Sequence, residues 1–230
     1  MRHRSFQTVS ARATAQAFTL LEMIVVMAII SLIVAMVTPA LSGLLGATGL
    51  TAAGNMVTNM ASQARQLAMS RNTVTALAVV GDLGLPGDFR TLAILQYEGP
   101  HQGWKLATEW RQLPQGVIVD FSNPDVCTFV SQSGAALPLA PGFPDPGVLP
   151  VEYHGTGLTL STCPLRVFLP NGGLQESETP ARIRLVEGSK ESDGIVYHHL
   201  TQGGVPGNYF DITLIGATGL AKVSRPDIHE

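Results

Sequence analysis

The stretch Phe18–Val37, FTLLEMIVVMAIISLIVAMV, decides how this chain is read, with AQA directly before it and Thr38-Pro39 directly after. About 20 helical residues rising about 1.5 Å each match a hydrocarbon core of roughly 30 Å, so the stretch is long and apolar enough to span a bilayer. Glu22 breaks the pattern. A carboxylate at mid-bilayer costs on the order of 2.5 to 3.5 kcal/mol, and less near an interface. That charge requires compensation.

On its N-terminal side the stretch is preceded by Arg2, Arg4 and Arg12 and by no acid. A basic tail before an apolar core reads as a leader that stays inside while the bulk of the chain is exported. Residues 1–17 are therefore set aside from the fold as a leader peptide. The 230 residues then leave room for an anchoring element and one domain of ordinary size. Without the three leader arginines, 11 of the 14 basic residues face 17 acids, a net charge of −6. An acidic exported portion argues against nonspecific nucleic-acid binding by bulk charge. Both cysteines, Cys127 and Cys163, fall in that portion. An oxidising compartment permits one disulfide between them, and two separate buried thiols are the equal alternative.

On its C-terminal side, no charged residue occurs between Glu22 and Arg65. Such an interval suits an element first in lipid and then packed on protein. The segment TPALSGLLGATGLTAAG (38–54) holds Pro39, Gly43, Gly46, Gly49 and Gly54. Each interior glycine costs a helix about 1 kcal/mol against alanine, and proline costs more, which predicts a weak or kinked helix here. From Leu50, the residues Ala53, Val57, Met60, Ala64 and Leu67 recur at helical spacing and predict a core-facing stripe, with the helix ending near 70–72.

Beyond it the period becomes that of strands. TVTALAVV (73–80), TLAILQYE (91–98), the run from Trp104 to Trp110, and GVIVDF (116–121) are separated by Gly or Pro and read as an antiparallel meander. Residues 131–150 hold five prolines and read as one long irregular loop. VEYH (151–154), LRVFLP (165–170), ARIRLVEG (181–188) and the final pair YFDITLIG and GLAKVSR complete the strands. The fold class is α+β: a long N-terminal α-helix packed on an antiparallel β-sheet domain. It divides into 1–17, 18–38, 39–72 and a β-rich domain 73–230.

The run AFTLLEMIVVMAIISLIVAMVTPAL resembles the N-terminal processing signal of type IV pilins and type II secretion pseudopilins. The resemblance implies a pilin-like fold. It implies cleavage between Ala17 and Phe18 by prepilin peptidase, methylation of the new Phe18 amine, assembly roles for Thr19 and Glu22, and a helix bend at Pro39. The family usually has Gly before the cut, where this chain has Ala17. In family filaments the carboxylate at the Glu22 position pairs with the free first amine of a neighbouring subunit. That neutralises both charges inside a helical bundle and supplies the missing compensation. The implied partners are other pilin or pseudopilin subunits, the peptidase, an inner-membrane assembly platform and the lipid bilayer. The implied location is the bacterial inner membrane, single-pass, with the C-terminal domain in the periplasm. Plainer readings are a signal anchor whose Glu22 snorkels to the interface, or a signal peptide cut near Ala40.

Three later pieces resemble the H-type minor pseudopilin and pilus-associated relatives: LPQGVIVDF (113–121), VFLPNGG (167–173) and ITLIGATGLAKV (212–223). Some relatives used in DNA uptake carry a basic C-terminal hairpin that touches DNA, and Lys222 and Arg225 occupy roughly that place. Two charges on an acidic domain make a thin patch, and a solvated edge strand is the favoured reading.

No constellation predicts catalysis, a cofactor or a metal. There is no GxSxG elbow. His198 and His199 are adjacent, so on a strand they would point to opposite faces and could not chelate one ion. Asp82 and Asp88 flank a Gly-Pro turn but lack the ligand density of a calcium loop. Asn171-Gly172-Gly173 is hairpin-turn chemistry. The sequence thus predicts a minor pseudopilin of a type II secretion pseudopilus or related filament. The alternatives are a signal-anchored surface binding module, such as a pilus-associated DNA-uptake protein, and an anchored hydrolase.

Overall fold

The computed structural model describes residues 19–99, 103–122, 127–128, 148–159, 162–175, 180–191 and 194–225, with the side chains of 36–47 and 148–150 outside the description. The chain divides into a unit ending at Gly43 and a unit beginning at Leu44.

Helix α1, Leu20–Arg71, contributes to both units. Its backbone is helical through Pro39, Gly43 and Gly46. In the second unit the predicted stripe is buried: Leu50, Ala53, Val57, Met60 and Ala64, joined by Ala61 and Ala68, with Leu67 packed against them. The helix ends where expected, and its stop is chemically specific. Asn72 takes a left-handed φ of 47°, its N–H donates to the Met69 carbonyl (3.4 Å), and the Thr73 N–H donates to the Ala68 carbonyl (3.1 Å). This is a Schellman motif with asparagine in the position glycine usually fills.

Twelve strands follow: β1 Thr75–Val79, β2 Thr91–Tyr97, β3 Trp104–Leu106, β4 Arg111–Gln112, β5 Val117–Val119, β6 Val148–Tyr153, β7 Thr156–Thr159, β8 Leu165–Phe168, β9 Ala181–Glu191, β10 Gly194–Tyr197, β11 Tyr209–Leu214 and β12 Ala221–Ser224. A first antiparallel sheet runs β3-β2-β1-β8, with β4 also paired to β2. A second runs β10-β9-β11-β12, with β5 paired to β9. The hairpin β6-β7 stands as a third, small sheet.

The composition of each strand follows from what covers it. Every residue of β1 and β2 is buried, because both faces of the first sheet are covered. Leu77, Val79, Leu92 and Ile94 join the helix in one core cluster. Ala76, Ala78, Val80 and Leu95 join Val151, Tyr153 and Leu158 of the β6-β7 hairpin in another. A strand covered twice is a continuous apolar run rather than an alternating one. In the second sheet β11 alternates, with Phe210, Ile212 and Leu214 in the helix-facing cluster. The helix is also tied down by polar contacts: the Thr75 hydroxyl donates to the Ala64 carbonyl (2.8 Å), and Arg65 Nε donates to the carbonyls of Gly172 (3.2 Å) and Thr218 (2.6 Å).

Three strand expectations are corrected. The segment 116–121 does not continue a meander, because its strand β5 leaves the first sheet and pairs with β9, Ile118 opposite Val186. The irregular loop does not extend to Pro150. Strand β6 begins at Val148, and a register shift between Leu149 and Glu152 places Pro150 where the ladder is already interrupted. A proline without an N–H fits such a bulge. Residues 131–147 of that loop lie outside the described residues. Finally, the strand read as ARIRLVEG (181–188) does not end at Gly188, since β9 runs on to Glu191 and turns into β10.

Candidate assembly site

The described part of the N-terminal unit is a helix with apolar side chains on every face. Leu20 is 78% exposed, and Leu21, Met23, Ile24, Met27, Ile29, Leu32, Ile33 and Val34 are also exposed. A helix that is hydrophobic all round is one whose surroundings are not water. Among the described residues no helix is long and apolar enough to cross a membrane. Of the Phe18–Val37 stretch, side chains are described for 19–35 only.

Thr19 and Glu22 are brought together at the start of this helix. The Glu22 N–H donates to Thr19 Oγ1 (3.2 Å), and the Thr19 N–H donates to Glu22 Oε2 (3.4 Å). With α1 beginning at Leu20, Thr19 is the N-cap and Glu22 the third helical residue, which makes the pair a reciprocal capping box. The carboxylate also sits in the first turn, where the helix dipole favours negative charge. Thr-x-x-Glu before an apolar run is a signal the sequence carried and our sequence reading did not use. The box is local and exposed, so Glu22 is held by its own helix end while remaining open to a stronger partner.

The other predicted site residues fall apart from this pair. Ala17 and Phe18 lie outside the described residues, as does the side chain of Pro39. The permitted disulfide is not formed. Cys127 lies in the cluster that contains the helix stripe, and Cys163 lies in the cluster on the other face of the first sheet. Burial pushes the Cys163 thiol from 9.0 up to about 12. Lys222 is exposed on edge strand β12. Arg225 is engaged: it donates through Nη2 to Thr51 Oγ1 (2.7 Å) and stacks over the Phe210 ring at 4.8 Å. That engagement argues for an architectural role over a nucleic-acid contact.

Asp82 pairs with Lys190 (3.1 Å), while Asp88 Oδ2 accepts from the N–H groups of Leu83 (2.8 Å) and Leu85 (3.1 Å). Among the described residues no group of three or more metal-ligating side chains assembles. His154 sits exposed at the β6-β7 turn with φ 50°. His198 and His199 are exposed, and His199 Nε2 lies 3.4 Å from Glu187 Oε2. Our sequence reading also missed a paired network at the second sheet. Arg184 makes a bidentate bond to Asp211 (2.8 and 2.7 Å), and that hydrogen bond raises the Arg184 pKa despite partial burial. Burial likewise raises the Tyr197 hydroxyl, which donates to Asp120 (3.0 Å).

These features define a chain with an apolar, acid-bearing N-terminal helix carried by a β-rich unit. Residues 12–38 match the family model described as the prokaryotic N-terminal methylation motif. The match covers the basic Arg12, the Ala17-Phe18 junction, the Thr19-Glu22 pair and the apolar stretch. Two solved structures of the minor pseudopilin EpsH from the type II secretion system of Vibrio cholerae are similar to this chain. One is 13% identical over 77% of this chain and 98% of its own, with a TM-score of 0.41. The other is 14% identical over 80% and 98%, with a TM-score of 0.40. No curated protein matches the chain.

Proposed function

We propose that this protein is a minor pseudopilin, a structural subunit of a type II secretion pseudopilus, processed by a prepilin peptidase between Ala17 and Phe18. The observation that carries the reading is the Thr19-Glu22 pair at the head of an apolar helix, inside a segment that matches the N-terminal methylation motif. On this reading lipid covers the apolar residues from Leu20 to Val34 before assembly, and the precursor sits in the inner membrane with the β-rich unit in the periplasm. Processing creates a new amine at Phe18, which methylation modifies. Glu22 then exchanges its weak intrahelical bond to Thr19 for the amine of a neighbouring subunit. A free ammonium is the stronger partner in a medium of low dielectric, and either charge left alone there is costly. The protein's role is structural, and the chain is itself the peptidase's substrate.

The segments 113–121, 167–173 and 212–223, which resemble H-type pseudopilins, supply β5, the turn after β8, and the β11-β12 hairpin. They therefore belong to the folded frame rather than to surface insertions. The test is filament incorporation of Glu22→Ala beside Glu22→Asp. Loss of incorporation in the alanine variant, with processing at Phe18 intact, supports the docking role. Normal incorporation of Glu22→Ala refutes it.

A further inference from the structure

The residues between β10 and β11 form a closely bonded turn. Leu200 and Pro206 face each other as an isolated bridge. The Thr201 N–H donates to the Val205 carbonyl (2.8 Å), the Gly204 N–H to the Thr201 carbonyl (2.9 Å) and the Gly207 N–H to the His199 carbonyl (3.0 Å). The base of the turn is fastened to a buried carboxylate: Asn208 Nδ2 donates to Glu187 Oε1 (2.8 Å), and His199 Nε2 lies 3.4 Å from Glu187 Oε2. What this fixed turn presents outward is apolar. Leu200 is 54% and Val205 51% exposed. No Asp, Glu, Lys or Arg occurs between His199 and Asp211. A single exposed apolar side chain is ordinary, but two held side by side on a turn without charge make a contact surface.

Its place in the fold says what covers it. The turn springs from the end of the β-rich unit at which α1 enters. A Cβ built on Gly49 lies 3.8 Å from Val117 Cγ2 and 3.9 Å from Pro114 Cβ. Val117 pairs with Glu187, the residue that fastens the turn, and a Cβ on Gly116 lies 3.7 Å from the His198 ring. The other exposed apolar turn of this sheet, with Ile215 and Leu220, sits at the opposite end, where Arg65 near the close of α1 reaches the Thr218 carbonyl. Gly49 lies only 12 residues beyond Val37, where the apolar stretch ends. Even a straight helix of that length rises only about 18 Å. The turn reaches up to about 13 Å from its base to its tip. The headgroup layer adds roughly 5 to 7 Å above the hydrocarbon edge. The tip is therefore within range of the headgroups.

We propose that the turn 200–206 is a second membrane contact, in which Leu200 and Val205 enter the interfacial layer of the bilayer that holds α1. This rests on the reading of the apolar half of α1 as lipid-embedded. The occupant is a lipid surface as such: apolar side chains carried to an interface by a fixed turn gain from leaving water, and with no lysine or arginine on the turn the contact does not select anionic lipid. The turn gives the precursor a weak hold on the bilayer beside the strong one of the helix.

The test uses the full chain in phosphatidylcholine nanodiscs, with nitroxide-labelled lipids and methyl resonances as the readout. A nitroxide on the headgroup is expected to relax the Leu200 and Val205 methyls at least fivefold more than those of Ile215 and Leu220, while a nitroxide deep in the acyl chain relaxes Ile29. The double variant Leu200→Ser with Val205→Ser keeps the backbone bonds of the turn, and headgroup relaxation of its Thr201 methyl should fall at least threefold. Ile29 relaxed with the turn no more relaxed than Ile215 and Leu220 overturns the turn's role and leaves the helix reading standing. An unrelaxed Ile29 overturns the helix reading and this inference with it. Undiminished relaxation at Thr201 in the double variant, or relaxation of the turn only when phosphatidylglycerol is added, would overturn the apolar contact.

Discussion

Replacing Gly54 by alanine separates the local chemistry of the helix from its packing. Taken alone, the change should help: alanine is favoured over glycine in a helix interior by about 1 kcal/mol. The structure predicts the reverse. Gly54 is buried on the helix stripe, and a Cβ built there lies 2.5 Å from Cδ1 of the Phe210 ring and nearer still to Cε1 and Cζ. Phe210 is 3% exposed and sits among Val57, Ile183 and Ile212 in the same core cluster, so the ring has little room to retreat. Overpacking of this kind costs about 1 to 3 kcal/mol. A clash on one whole ring edge belongs at the upper end of that range. After the propensity gain, Gly54→Ala should destabilise by about 2 kcal/mol. For a unit of this size that lowers the melting temperature by roughly 4 to 8 °C. The assay is thermal and urea unfolding of the full chain in detergent micelles, followed by near-ultraviolet circular dichroism. The double variant Gly54→Ala with Phe210→Leu should lose at least about 1 kcal/mol less than the sum of the two single changes, because leucine vacates the contested space. A stabilised Gly54→Ala, with no coupling to position 210, would refute the close approach of helix and sheet.

Three further outcomes follow from other contacts. Arg65→Ala removes the donor shared by the Gly172 and Thr218 carbonyls and should cost about 1 to 3 kcal/mol, while Arg65→Lys should recover part of that loss; unfolding midpoints check both. The Cys163 thiol is raised from 9.0 to about 12, so the stability tied to its neutral form is complete below about pH 9 and is lost as pH climbs toward about 12. Native protein should accordingly resist iodoacetamide at Cys163 at pH 8 and react only on unfolding, as peptide mass mapping would show. Thr19→Ala removes the hydroxyl that caps the helix start and should fray its first turn, at a cost of about 1 kcal/mol, whereas Thr19→Ser should preserve it; amide exchange at Glu22 reports the difference.

Much of the fold was legible because its signals are local. The helix stripe from Leu50 to Ala64, the runs that became β1, β2 and β8, and the β11-β12 hairpin all follow from periodicity over a few residues. What stayed hidden is pairing over distance. GVIVDF reads as a strand, but nothing within it says that Ile118 will face Val186 rather than a strand of the first sheet. Pro150 hid β6, since a proline-rich stretch reads as loop until its partner, Leu158 facing Leu149, supplies a ladder with a bulge to hold it. Gly54 was read as a weakness in the helix, because only the arrival of Phe210 from more than a hundred residues away shows what the missing side chain allows. The candidate assembly site was legible to the extent that Glu22 is conspicuous. Its capping partner Thr19 was a local signal as well.

On the proposed reading the chain is cut and methylated at the head of its apolar helix. The intact mass and first residue of the mature protein, isolated from membranes of cells with and without their prepilin peptidase, test it most directly. The expected chain begins at N-methylated Phe18 when the peptidase is present and at Met1 when it is absent. A mature chain that begins at Met1 in both, or one that starts near Leu41, would contradict it.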